Sequence, residues 1–107
     1  MQINQKCIDA CNHCAVACHT CSAACLQEDD VKAMARCIEL DMDCAAMCQM
    51  AVALMARDSD YAKQACRLCA EMCRACGEEC QKHEADHCQQ CAKACFACAE
   101  ECERMAA

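Results

Sequence analysis

Six cysteines near the start of the chain, Cys7, Cys11, Cys14, Cys18, Cys21 and Cys25, are spaced 4, 3, 4, 3 and 4 residues apart. Alternating steps of four and three form a heptad pattern. On an α-helix this pattern places every such side chain on one narrow stripe. Two further segments repeat it: Cys66, Cys69, Cys73, Cys76 and Cys80, then Cys88, Cys91, Cys95, Cys98 and Cys102. Between the first and these lies a sparser segment with Cys37, Cys44 and Cys48, where Met34, Asp41, Ala51 and Met55 keep the same phase. Stripes of this kind are buried only if four helices turn them toward a common axis.

Composition agrees with helices. The 107 residues include no proline and a single glycine, so nothing interrupts a helix from within. Leu, Ile, Val and Phe number only eleven, which with a net charge of −7 would ordinarily indicate disorder. Cysteine, however, behaves as a small and readily buried hydrophobe, and the 19 cysteines supply the missing core. The segment LQEDDV offers Asp29 or Asp30 as an N-cap, and RDSDY offers Asp58, Ser59 or Asp60. Asp86 followed three residues later by Gln89 has the form of a capping box. The expected fold is all-α: one domain, residues 1–107, forming an antiparallel up-down-up-down four-helix bundle with a cysteine-lined core. Its helices should span roughly 3–26, 30–57, 60–82 and 87–105. The 3.5-residue period further predicts a left-handed supercoil.

Several function classes are disfavoured. No basic cluster is available to contact nucleic acid or anionic membranes, and no apolar run reaches the length of a membrane span. The N-terminus lacks the pattern of a secretory signal, so a cytoplasmic protein with reduced thiols is expected. An odd cysteine count and helical spacing argue against a disulfide scaffold. No nucleophile–base set or nucleotide-binding glycine loop is present, so the chain does not read as an enzyme.

An axis lined by thiols alone packs loosely, and apolar cavities cost stability in proportion to their volume. Bound metal ions would fill such an axis. Structural zinc sites use ligand pairs on turns, and iron–sulfur clusters use wrapping loops. Here the pairs lie within continuous helices. Cu(I) is soft, selects thiolates and accepts two or three sulfurs. Eight CxxxC pairs each place two sulfurs close together on one helix face: Cys7/Cys11, Cys14/Cys18, Cys21/Cys25, Cys44/Cys48, Cys69/Cys73, Cys76/Cys80, Cys91/Cys95 and Cys98/Cys102. Sequestration of zinc or cadmium would use the same residues. An iron–sulfur or redox carrier is a more distant alternative, distinguished by visible absorption.

The CxxxC array, the CIELDMDC segment, the GEECQKHEADHC turn and the CAKACFACAEEC ending resemble the cytosolic copper storage proteins over essentially the whole chain. The resemblance implies storage of many Cu(I) ions and a homotetramer of bundles. A copper chaperone or small thiol is the expected donor. It also supports a histidine-bearing opening, for which His83 and His87 are the candidates. They should share one end of the bundle with Cys25, Met34 and Cys37, while Met1, Met55, Tyr61 and Met105 occupy the other. Asp41 is the odd member of its stripe. It either binds copper weakly or accepts a hydrogen bond from a thiol or a backbone group. Met34 is the best thioether candidate. His13 and His19 should face outward, Met42, Met47, Met50 and Met72 should pack off the stripe, and Met55 and Met105 should plug the far end. Glu71, Glu78, Glu79, Glu100, Glu101 and Glu103 read as solvated surface.

Overall fold

A computed structural model describes residues 4–107, and within them four α-helices account for nearly all the regular structure. These are α1 (Gln5–Cys25), α2 (Ala35–Ala56), α3 (Ala62–Gln81) and α4 (Asp86–Ala106), with a short 3₁₀ turn at Val31–Met34 ahead of α2. Each helix packs on its neighbours in sequence, and α4 closes the ring against α1. Sulfur contacts establish the antiparallel sense. Along α1 and α4, Cys7 meets Cys102, Cys11 meets Cys98, Cys14 meets Cys95, Cys18 meets Cys91 and Cys21 meets Cys88. Along α2 and α3, Cys37 meets Cys80, Cys44 meets Cys73 and Cys48 meets Cys69. The core is one continuous cluster built mainly from the cysteines and alanines, so the four stripes do converge.

The helix ends differ from expectation in instructive ways. Asn4 caps α1, its Oδ1 accepting from the Cys7 N–H at 3.1 Å. The expected start at residue 3 lies outside the described residues. Asp30 does cap, accepting from Ala33 N–H, but the turn it opens is 3₁₀ and α2 proper begins five residues later. The RDSDY segment does not cap α3 as expected. Asp58 takes a left-handed φ of 54°, and its N–H and that of Ser59 bond back to Met55 and Leu54 carbonyls. That is the Schellman pattern that ends α2. Tyr61 is the residue before α3, with no side-chain cap, while the Ser59 hydroxyl accepts from the Tyr61 N–H. The capping box at Asp86 is also absent. Asp86 is already helical, and the Gln89 amide instead donates backward to the carbonyls of Gln81 and His83, tying the α3–α4 loop shut.

His13 and His19 are exposed, as are Met42 and Met50, while Met47 and Met72 are partly covered. Met55 is buried and Met105 partly so, both lining a cleft of about 510 Å³ at the end where α1 begins. Met1 falls outside the described residues. Two of the acidic residues expected on a solvated surface are partly buried. Glu101 is engaged by Lys6 and Arg104, and Glu79 by Lys82 and His83.

Candidate metal centre

All 19 cysteines are free and fully buried. The antiparallel registers stack them in levels. Cys11, Cys98, Cys48 and Cys69 form one level through successive contacts of 3.5, 3.9 and 3.7 Å. Cys95, Cys14, Cys44 and Cys73 form the next, at 3.8, 3.8 and 3.5 Å. Within each helix the i, i+4 pairs span the levels, as Cys14 to Cys18 does at 4.0 Å and Cys69 to Cys73 at 3.8 Å. Four-donor groups with all ligand atoms within 4.8 Å of one another follow directly. They include Cys11/Cys69/Cys98/Cys102, Cys14/Cys44/Cys48/Cys73, Cys14/Cys18/Cys44/Cys95 and Cys18/Cys76/Cys91/Cys95. These groups overlap: Cys14, Cys18, Cys44 and Cys95 each serve in two. A metal–thiolate bond of about 2.3 Å sets trigonal sulfurs about 4.0 Å apart. The observed spacing therefore accommodates a soft ion between neighbouring sulfurs with little movement.

The next level departs from sulfur on one side. Cys18 meets Cys91, and Cys76 and Cys91 face Asp41, which is fully buried. Its Oδ1 accepts from Cys76 at 3.1 Å, Cys91 at 3.3 Å and Cys80 at 3.4 Å, and its Oδ2 from Cys37 at 3.8 Å. Of the two roles read from the sequence, hydrogen bonding to thiols is the one this geometry displays. Burial pushes the carboxyl up to about 8. Asp41 is therefore held as a neutral acid at neutral pH, which is how the core tolerates it.

The level toward the α1–α2 loop holds Cys21 and Cys88 at 3.9 Å and Cys37 and Cys80 at 3.4 Å. Here histidine joins sulfur. His87 Nδ1 lies 3.4 Å from Cys21 Sγ and 3.5 Å from Cys88 Sγ, and Cys21, Cys25, His87 and Cys88 form a further four-donor group. Burial and the nearby Cys37 raise the Cys88 thiol to about 11, and the same causes raise Cys25. These outer thiols hold their protons until something displaces them. His83 also stands at this end, partly exposed, its Nε2 2.9 Å from Glu79 Oε2. Met34 is buried in the 3₁₀ turn above Cys37. The sequence reading missed Glu28, whose Oε1 lies 2.8 Å from His87 Nε2. The two are 59 residues apart, and no local pattern marks the pair.

Comparison with known proteins agrees with this geometry. The whole chain, residues 1–107, matches the family described as copper storage protein. The Cu(I)-bound copper storage protein BsCsp3 is 51% identical, covers 99% of this chain and 100% of its own, and superposes with a TM-score of 0.95. A cytosolic copper storage protein from Streptomyces lividans, carrying five coppers, is 38% identical over 95% of this chain and 90% of its own, with a TM-score of 0.92. An uncharacterised cysteine-rich protein of Bacillus subtilis, YhjQ, is 51% identical over 86 residues, or 80% of each chain. A family match over the full length, with the thiol array at its centre, makes this chain a member of the copper storage protein family.

Proposed function

We infer that the interior of the bundle is the store. Cu(I) is held as cargo by the 19 thiolates of the axis, and the bundle has no catalytic role. The observation that carries this is the set of overlapping four-sulfur groups, which lets neighbouring ions share thiolates. Sharing raises capacity above what isolated pairs allow. If thiolates bridge, the limit approaches one ion per cysteine, ~19, whereas simple pairs would stop at ~9. The Cu(I)-bound BsCsp3 and the five-copper Streptomyces protein support copper over zinc or cadmium.

Copper enters at the end bearing His83 and His87. His87 supports this because it is the partly exposed donor that touches buried thiols. Met34 and Asp41 are accessory donors, the one above the outer thiols and the other one level below them. Residues 1–107 act as a single storage unit in the cytosol, the compartment of the Streptomyces relative. Four copies associate, and exposed Val16, Met42, Met50 and Leu68 supply apolar surface for that contact. A chaperone or small thiol delivers the ion to the histidine end.

An anaerobic Cu(I) titration of the reduced apo-protein, followed by native mass spectrometry against a competing chelator, tests the storage reading. Tight binding that continues well past nine ions is expected. Saturation at one or two would refute it. Replacing His83 and His87 together with alanine is expected to slow loading severalfold, while the number held at saturation stays set by the thiols. Unchanged kinetics would place the opening elsewhere.

A further inference from the structure

Every candidate donor on the axis except the histidines is a sulfur or a carboxylate, which can offer a lone pair in any orientation. Imidazole is different. A neutral ring carries one N–H and one bare nitrogen, and only the bare nitrogen binds a metal. Which nitrogen is bare is set by the hydrogen bond the other one makes.

At His87 both nitrogens have partners. Nε2 lies 2.8 Å from the Glu28 carboxylate, an obligate acceptor when ionised. Nδ1 lies 3.4 Å from Cys21 Sγ and 3.5 Å from Cys88 Sγ, both of which can donate an S–H. Of the two neutral tautomers, only one suits all three contacts: Nε2–H donates to Glu28, and the Nδ1 lone pair faces the two thiols. The opposite tautomer would aim a bare Nε2 at the carboxylate oxygen, lone pair against lone pair. It would also turn an N–H toward the place where the ion must sit.

Glu28 is held for this role by the chain around it. After α1 ends, Leu26, Gln27 and Glu28 each donate a backbone N–H back to the last turn, to Ser22, Ala24 and Cys25 respectively. The turn folds the loop over the mouth of the bundle and brings the carboxylate across to the first turn of α4. The Glu28 side chain is 40% exposed and that of His87 20%, so the pair sits at the boundary between solvent and the thiol array.

We propose that Glu28 is a positioning residue for copper uptake: its carboxylate fixes the Nε2–H tautomer of His87, so that Nδ1 presents its lone pair beside Cys21 and Cys88 as the first donor an arriving Cu(I) meets. The inference rests on the histidine-end reading above and extends it to a residue outside the donor set. The ion remains Cu(I) throughout. It exchanges a delivery ligand for Nδ1 and the two thiolates, and the protons of Cys21 and Cys88 leave to solvent at the mouth.

The test uses the full-length, reduced apo-protein labelled with ¹⁵N-histidine, with the His87→Ala variant to assign the ring signals. In the wild type, long-range ¹H–¹⁵N correlation is expected to show a protonated Nε2 and a bare Nδ1 at His87. Glu28→Ala should give a mixture of tautomers or the reversed one. Glu28→Gln, whose amide oxygen still accepts, should restore the wild-type pattern. In parallel, stopped-flow uptake of the first Cu(I) from a weak chelator should slow on the order of tenfold in Glu28→Ala and recover in Glu28→Gln. An unchanged tautomer in Glu28→Ala overturns the proposal, whatever the kinetics. If the tautomer changes but His87→Ala loads at the wild-type rate, the histidine-end reading for His87 fails, and Glu28's part in uptake fails with it. The tautomer signal comes from the apo-protein, so these two failures remain distinguishable.

Discussion

Replacing Asp41 with asparagine should change how the apo-protein responds to pH. In the folded chain the Asp41 carboxyl is raised to about 8 by burial, whereas an unfolded aspartate ionises near 3.9. Between those values the native state keeps a proton that the unfolded state has released. The native state therefore binds more protons, and stability falls as pH rises. The full contribution is present below about pH 4 and is lost progressively up to about pH 8. At ~1.4 kcal/mol per pH unit the interval is worth on the order of 5 kcal/mol. Domains of this kind are stable by only ~5–15 kcal/mol, so the effect is large. With a urea m-value of ~1–3 kcal/mol/M, it amounts to a midpoint loss of at least ~1.5 M. Asparagine cannot ionise, yet its amide oxygen can still accept from Cys76, Cys80 and Cys91. Anaerobic urea unfolding of both proteins at several pH values from 4 to 8 isolates the contribution of Asp41, because every other titrating group is common to the two. The gap should move steadily in favour of the variant as pH increases. A gap independent of pH would mean that Asp41 ionises normally in the folded state, and the account of how this core tolerates a carboxyl would be wrong.

Asn4→Ala removes the acceptor for the Cys7 N–H and should cost about 1 kcal/mol in urea unfolding, with copper capacity untouched. Gly77→Ala would place a methyl 2.8 Å from Phe96 Cε1, and the overlap should outweigh the ~1 kcal/mol gain in helix propensity. The variant should be less stable, and adding Phe96→Leu should recover most of the loss. Loading should release protons, since the buried thiols must ionise to bind. An indicator dye in a weakly buffered Cu(I) titration should report release that scales with ions bound, and loading should weaken as pH falls. Removing copper with a strong chelator should lower the midpoint of thermal unfolding, because binding to the folded state alone stabilises it by ~4 kcal/mol per site at a thousandfold excess over Kd.

The bundle was legible because cysteine spacing carries the same geometric information as leucine spacing. The thiols of all four stripes proved to be buried. The stripe also marked Asp41 as anomalous, but not the thiols it meets. Those thiols, Cys76, Cys80 and Cys91, come from two other helices. The helix ends were harder to read. The RDSDY segment carries good capping residues, but the backbone of Asp58 and Ser59 ends α2, and the Ser59 hydroxyl reaches only Tyr61 N–H, one residue ahead of α3. Gln89 sits at capping-box distance from Asp86, yet its amide serves the preceding loop. In each case a local motif had more than one use open to it, and the path of the chain selected one. Glu28 was invisible for the same reason, since its partner on α4 becomes a neighbour only once the bundle has closed.

The overlap among the four-sulfur groups has a further consequence. Because Cys14, Cys18, Cys44 and Cys95 each belong to more than one group, a partly filled axis offers ions several alternative sets of donors. No arrangement is fixed by a unique set of donors. Copper in such an axis behaves less like a row of occupied sockets than like a solute in a one-dimensional liquid of sulfur. Losing one thiol to oxidation would then shorten that liquid slightly without severing it, and the ions would redistribute around the gap.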